Sequence, residues 1–291
     1  VLVNHGVKIT LKKWKEAALW CDDCAKGKHR RGSHKQRKDA DRGWPRHPNE
    51  VHAVDTMGRT KASYWGDRYS TVVKDHSDGR TWTYSHKKKS HLPSKLREHE
   101  HNAEVDARLS KSYEQYEGTV QFPVRAYRQD NAGELMSGSE QARRRQLRIQ
   151  TQNAVPEAHG PQNSVAERAI ATVRRISVML IHSKMHNIAI EKARRLWPYA
   201  DAHAANLQLI LPTKHNDGRD SPAMARYQEG KGARDTRWIS RVCHIWGSRM
   251  IVRDDRDKRE LNGRDVYYVG VPPGFAPGVL GWDAARPKQR P

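Results

Sequence analysis

The chain has 291 residues, enough for one sizeable core domain and one or two small modules, and only 36% of them are apolar, with Phe at 2. That composition excludes a large all-buried architecture, and the sequence offers no long apolar run and no signal-peptide pattern. Lys and Arg number 54 against 33 Asp and Glu, a net +21, so the partner to expect is a polyanion. The cations are spread rather than gathered on one amphipathic anchor, which favours nucleic acid over a membrane surface. Three cysteines, Cys21, Cys24 and Cys243, are too few and too unevenly placed for a disulfide framework, and favour a reducing compartment.

In chain order, residues 1–46 are poor in apolar side chains. Leu11, Trp14 and Ala18 suggest one helix, and Cys21 and Cys24 follow in C-x-x-C spacing. Two thiolates so spaced reach one ion from a tight turn, half of a tetrahedral zinc site; a chance pair of free thiols has the same spacing. Two completions stay open. His29 and His34 would close a C-x2-C-x4-H-x4-H pattern, or the ligands come from upstream, where His5 stands. The basic run from Gly27 to Lys38 reads as a solvated linker that could also bind phosphates or direct nuclear import.

Residues 51–57 alternate as a strand ended by Gly58, with Asp55 in its second half. Tyr69–Val73 and Thr81–Ser85 are two further strands, joined by the turn-forming Asp75-His76-Ser77-Asp78-Gly79 into a hairpin. A charged helix is expected over residues 92–116, with Leu92, Leu96, Ala103, Leu109, Tyr113 and Tyr116 inward. Val124–Arg128 is a fourth strand that delivers Asp130, and a polar stretch with Arg143, Arg144 and Arg145 follows. The strongest helix begins near Ser164. Gly160 and Pro161 break the backbone before it, Asn163 or Ser164 can cap it, and Val165, Ala169, Val173, Ile176 and Leu180 draw an apolar stripe. Glu167 lies off that stripe, on the face of Ala171 and Arg174. Singly, each acid has an ordinary explanation: strand-end turn former, Asx turn, or acid at the positive end of a helix dipole. Together they suggest a site.

These residues carry a resemblance. The chain resembles the integrase region of copia-type LTR retrotransposon polyproteins over most of its length. Val51-His52-Ala53-Val54-Asp55-Thr56-Met57-Gly58 is similar to the strand that bears that family's first catalytic Asp. Asp130-Asn131-Ala132-Gly133-Glu134 is similar to the second motif, usually D-N-G-G-E, and Pro161-Gln162-Asn163-Ser164-Val165-Ala166-Glu167-Arg168 to the third, P-x-x-N-G-V-A-E-R. Leu196-Trp197, Ala200, Asn206, Pro212 and Ser221-Pro222 follow the end of the core, and Cys243-His244-Ile245-Trp246-Gly247 through Gly270 resembles the small β module often found next. Ala132 and Ser164 stand where the family usually has Gly, and Leu135 where Phe is common.

The resemblance implies an α/β fold, an RNase H-like integrase core with a mixed five-stranded sheet flanked by helices, preceded by a zinc-binding-like segment and followed by an SH3-like β module. Its expected divisions are a partial zinc segment and basic linker at 1–46, the core at 47–215, a linker at 216–232, the β module at 233–283 and a tail at 284–291. It implies catalytic Asp55, Asp130 and Glu167 holding Mg²⁺ or Mn²⁺ for in-line displacement at phosphorus, because three hard oxygen donors need divalent cations to lie together. Zinc is expected at Cys21 and Cys24, with His29 and His34 as weaker candidates. Double-stranded DNA is the expected partner, gripped by Arg143, Arg144, Arg145, Arg168, Arg174, Arg175 and Lys184, with His159, Gln162 and Asn163 in the loop before the Glu167 helix. A homo-oligomer on DNA, a nuclear site of action, and release from a longer polyprotein with other products also follow. The alternatives are an inactive or co-opted nucleic-acid-binding relic, or another RNase H-like nuclease or transposase.

Overall fold

The computed structural model describes residues 48–108, 124–130, 135, 137–153, 164–183, 188–211, 221–223, 244–253, 263–272 and 278–291. Strands β1 (Val51–Met57), β2 (Tyr69–Asp75) and β3 (Thr81–His86) form an antiparallel meander. Helix α1 (Leu92–Arg108) leads to β4 (Ala126–Gln129), α2 (Gly138–Gln146) and β5 (Gln150–Asn153). The sheet order is β3-β2-β1-β4-β5, with β4 parallel to β1 and β5 parallel to β4. The result is a mixed five-stranded sheet flanked by helices.

Register assigns the two faces. Val54, Val73, Trp82, Tyr84 and Tyr127 pack with Leu92, Leu96 and Ala103 of α1. The opposite face presents Val72 to Ala169 and Val173 of α3 (Ser164–His182) and Ala204 of α5 (Trp197–Ile210). With both faces covered, the first four residues of β1 are all buried, as a central strand requires. A polar chain crosses the α1 side: Tyr84 Oη meets His99 Nδ1 at 3.0 Å, His99 Nε2 meets His52 Nδ1 at 2.7 Å, and His52 Nε2 lies 3.4 Å from Asp75. The β2–β3 connection is built as its composition predicts. The Ser77 and Arg80 N–H groups donate to Asp75 Oδ1 (2.7 Å) and Asp78 Oδ1 (2.8 Å), and Gly79 takes φ +80.

One local expectation is described only in part, and two need correction. The helix predicted for residues 92–116 is described to Arg108, and the remainder lies outside the described residues. The buried row of α3 is Ala166, Ala169, Val173, Ser177 and Ile181, shifted from the expected stripe, with Val165, Ile176 and Leu180 half-buried at its border. A polar residue, Ser177, belongs to the row because it faces the buried carboxyl of Asp201 on α5. The polar stretch around Arg143–Arg145 is a helix followed by an edge strand, α2 and β5, neither of which has an apolar pattern to reveal it.

α5 is buried almost all round, because the sheet lies on one side and a second unit on the other. That unit is an antiparallel sheet, β6 (Arg249–Arg253), β7 (Gly263–Gly270) and β8 (Leu280–Trp282), in the order β6-β7-β8. Trp246, Val269 and Trp282 share a cluster with Ile181 of α3, Ala193 of α4 (Ile190–Arg195), and Leu196, Trp197 and Ala200 at the start of α5. Residues 284–291, expected as a tail, fold back on this cluster. Trp282 Nε1 donates to Pro287 O (3.4 Å) and Trp65 Nε1 to Lys288 O (2.9 Å). Ser221, Pro222 and Ala223, within the expected linker, are buried. Among the described residues no helix is long and apolar enough to cross a membrane.

Candidate active site

Asp55 sits in the second half of β1, half-buried, and its Oδ1 accepts the Thr56 N–H at 2.7 Å. Thr56 is fixed in turn by its hydroxyl, 3.0 Å from that of Thr71 on β2. The parallel register pairs Ala53 with Arg128, so Asp130, the first residue past β4, comes level with Asp55 at the same end of the sheet. Glu167 occupies the first turn of α3 on its exposed face, and Ala166, Ala169 and Val173 hold that turn against the sheet.

Electrostatics tie the three together. Burial raises the Asp55 pKa above the usual carboxylate range, and the charges of Asp130 and Glu167 add to the rise. The Thr56 N–H and the charge of Lys89 oppose it. Asp55 therefore feels both other charges, yet among the described residues no three His, Cys, Asp or Glu side chains stand close enough to share a metal ion. The chemistry of the donor set suits a hard divalent cation.

The cations expected to bind DNA divide. Arg144 is buried and donates to Glu140 (3.1 Å), Gln129 (3.0 Å) and Thr151 (3.1 Å), with its guanidinium 5.1 Å from the Tyr127 ring centroid. It is a core residue rather than a DNA contact, because α2 uses it in place of an apolar stripe. Arg143 forks onto Glu100 (2.7 and 2.8 Å) and also reaches Glu140 (2.8 Å), so it too is consumed in the fold. Burial alone would raise the Glu140 pKa, but these two arginines hold it below the usual range. Arg145 is exposed. Arg168, exposed, folds back to donate to the Ser164 carbonyl and hydroxyl, both at 3.0 Å. Arg174 is exposed and Arg175 half-buried. Cys21, Cys24, His29, His34, His159, Gln162, Asn163 and Lys184 lie outside the described residues.

Two lysines escaped the sequence reading, and the charge of one of them reaches Asp55. Lys89, in the short turn between β3 and α1, acts on Asp55. Lys74 on β2 pairs with Ala53, and burial, then the charge of Arg168, lowers its pKa. The run Lys87-Lys88-Lys89 was visible as sequence, but only the β2–β3 register brings it to the Asp55 end. A cleft of about 390 Å³ beside β3, lined by Trp82, Tyr84, Asn102 and Tyr199 among others, includes none of the three carboxylates.

No family model and no curated protein matches the chain. Among solved structures it is similar to a chain of the simian T-cell lymphotropic virus intasome in complex with PP2A regulatory subunit B56 gamma. The identity is 17% and the TM-score 0.39, with 68% of this chain and 62% of that one covered.

Proposed function

We propose that the chain is a retrotransposon-type DNA integrase, a metal-dependent polynucleotidyl transferase on an RNase H-like core. The observation that carries the reading is that the β1–β4 register sets Asp55 and Asp130 at one end of the sheet, with Glu167 in the first turn of the helix packed on it, three acids remote in sequence. Asp55, Asp130 and Glu167 would hold Mg²⁺ or Mn²⁺, which when bound activates the attacking oxygen and steadies the leaving one. The protein's own part is placement. The Thr56 N–H orients Asp55, β4 delivers Asp130 beside it, and the buried row of α3 fixes the turn that presents Glu167. In strand transfer a DNA 3′-hydroxyl attacks a target phosphodiester: a new P–O bond forms, the old one breaks, and the leaving 3′-oxygen takes up a proton. On this reading β6–β8 is an SH3-like module, the N-terminal cysteines belong to a zinc segment, and the chain works as an oligomer on DNA in the nucleus.

The test is joining of labelled DNA ends to a plasmid by the purified chain with Mg²⁺ or Mn²⁺, beside Asp130→Asn. Metal-dependent joining lost in the variant is expected; joining that survives Asp130→Asn refutes the assignment. A second reading, a nucleic-acid-binding relic without turnover, is favoured by the absence of a three-residue metal cluster among the described residues. It predicts DNA binding with no joining in either metal.

A further inference from the structure

A second group of cations, apart from those that the sequence singles out, lies at the Asp55 end of the sheet. β1 leaves the sheet at Met57, β2 enters at Tyr69 paired with His86, and β3 ends at His86. Arg59, Lys61, Lys87, Lys88 and Lys89 therefore gather at the end of the sheet toward which Asp55 lies, and all five are exposed. Lys89 is close enough for its charge to act on Asp55. Arg59, Lys61, Lys87 and Lys88 make no ion pair among the described residues.

The backbone that carries them is pinned. The Thr60 N–H donates to Arg68 O (2.8 Å), and the Arg68 N–H to His86 O (3.0 Å). Trp197 Nε1 donates to Lys61 O at 3.0 Å, and the Tyr64 N–H to Arg195 O at 3.3 Å. Lys87 runs over Gly66, where an added Cβ would lie 3.7 Å from Lys87 Cε. The acid in this loop, Asp67, is buried and accepts from Ser63 at 3.1 Å, so it does not neutralise the surface.

Physical need agrees with placement. Three carboxylates alone repel a phosphate backbone, so a polyanion reaches Asp55 only past compensating cations. The aromatic side chains nearby are engaged in packing. Tyr64 stacks on Trp282 with centroids 5.5 Å apart, and Trp65 meets Tyr199 edge-on at 5.1 Å. A single strand, which is held by stacking its bases on free rings, finds no such platform among the described residues at this end of the sheet.

We infer that Arg59, Lys61, Lys87 and Lys88 form a rim that holds the phosphates of duplex DNA as it passes the Asp55 site, a role that folding denies to Arg143 and Arg144. The inference rests on the integrase reading and assigns the grip that the reading requires.

The test measures affinity of the full chain for a random-sequence 30-base-pair duplex across a salt series. The variants are Arg59→Gln/Lys61→Gln/Lys87→Gln/Lys88→Gln and a control of equal charge, Lys192→Gln/Arg286→Gln/Lys288→Gln/Arg290→Gln, all exposed positions. Each phosphate contact contributes about 0.9 to the slope of log K against log salt, so the rim variant is expected to lose about two or more from the slope and the control less than about one. Matching thermal midpoints would confirm that both variants fold. Equal slope losses in the two variants, or none in the rim variant, overturn the inference while wild-type duplex binding leaves the integrase reading standing. A wild type with no salt-dependent duplex affinity overturns both. A rim-dependent slope seen with single-stranded DNA alone overturns the duplex assignment.

Discussion

Asp55 and Asp130 stand at the same end of two adjacent parallel strands, and the charge of Asp130 adds to burial in keeping the Asp55 carboxyl above its usual pKa. Removing that charge should bring the Asp55 pKa down. Asp130→Asn is expected to lower it more than Glu167→Gln, following the order in which the two charges act. Both positions are exposed, so stability should stay within about 0.5 kcal/mol. Carbon-13 titration of the Asp55 carboxyl reads the shift; an unchanged pKa in Asp130→Asn would separate the two acids.

Arg144 and Arg145 are neighbours in sequence with opposite fates. Arg144 is a buried donor to Glu140, Gln129 and Thr151, and Arg143 remains on Glu140 without it, so Arg144→Ala leaves buried acceptors short of a donor and should cost about 1–3 kcal/mol. Arg145→Ala, at an exposed position, should cost under about 0.5 kcal/mol. Urea denaturation of the two variants checks the contrast, and equal midpoints would count against the buried network.

α5 carries two buried ionisable groups with opposed effects. Burial raises Asp201 to about 6 against the hydroxyls of Ser177 and Ser70, and burial lowers His203 to about 4. A raised acid lends stability below its unfolded value, near 4, that is lost as pH rises through 6. A depressed histidine lends stability above its unfolded value, near 6.5, that is lost as pH falls through 4. Each difference corresponds to about 3 kcal/mol, so the two slopes nearly cancel between pH 4 and 6. Asp201→Asn should therefore make stability rise with pH across that window, and His203→Phe should make it fall. Thermal midpoints from pH 4 to 7 distinguish these outcomes from parallel curves, which would contradict them.

The C-terminal sheet is joined to the core through Trp282, fully buried and stacked on Tyr64 of the β1–β2 loop. Trp282→Ala should cost about 3–5 kcal/mol in the unfolding of the whole chain. Gly281→Ala should cost about 1–3 kcal/mol, because a Cβ there would lie 2.7 Å from Val266 Cγ2. Differential scanning calorimetry would show both as one shifted transition; an early separate transition would mean that the sheet unfolds independently.

Much of the fold was legible wherever burial writes a period. β1, the β2–β3 hairpin and the start of α3 lie where alternation, Asx turns and helical spacing place them. α2 and β5 were not legible because α2 buries polar side chains and β5 is largely exposed. Glu140 and Arg144 replace an apolar stripe, and the four residues of β5, Gln150–Asn153, are all polar on an edge strand. The positions of the three acids could be named from motifs, but their electrostatic meeting depends on the β1–β4 register. The cationic rim depends on the register of β2 and β3, which no local pattern encodes. Asp201 and Ser177 were missed for the same reason: each satisfies the other from a different helix.

The joining assay depends on supplying suitable DNA ends, whereas the claim that Asp55, Asp130 and Glu167 together form a divalent-cation site can be read without them. Electron paramagnetic resonance of Mn²⁺ titrated into the full chain measures the free ion directly. The account predicts Mn²⁺ bound by the wild type and displaced by Mg²⁺, with affinity reduced about tenfold or more in each of Asp55→Asn, Asp130→Asn and Glu167→Gln. Equal Mn²⁺ binding by the wild type and all three variants would contradict it.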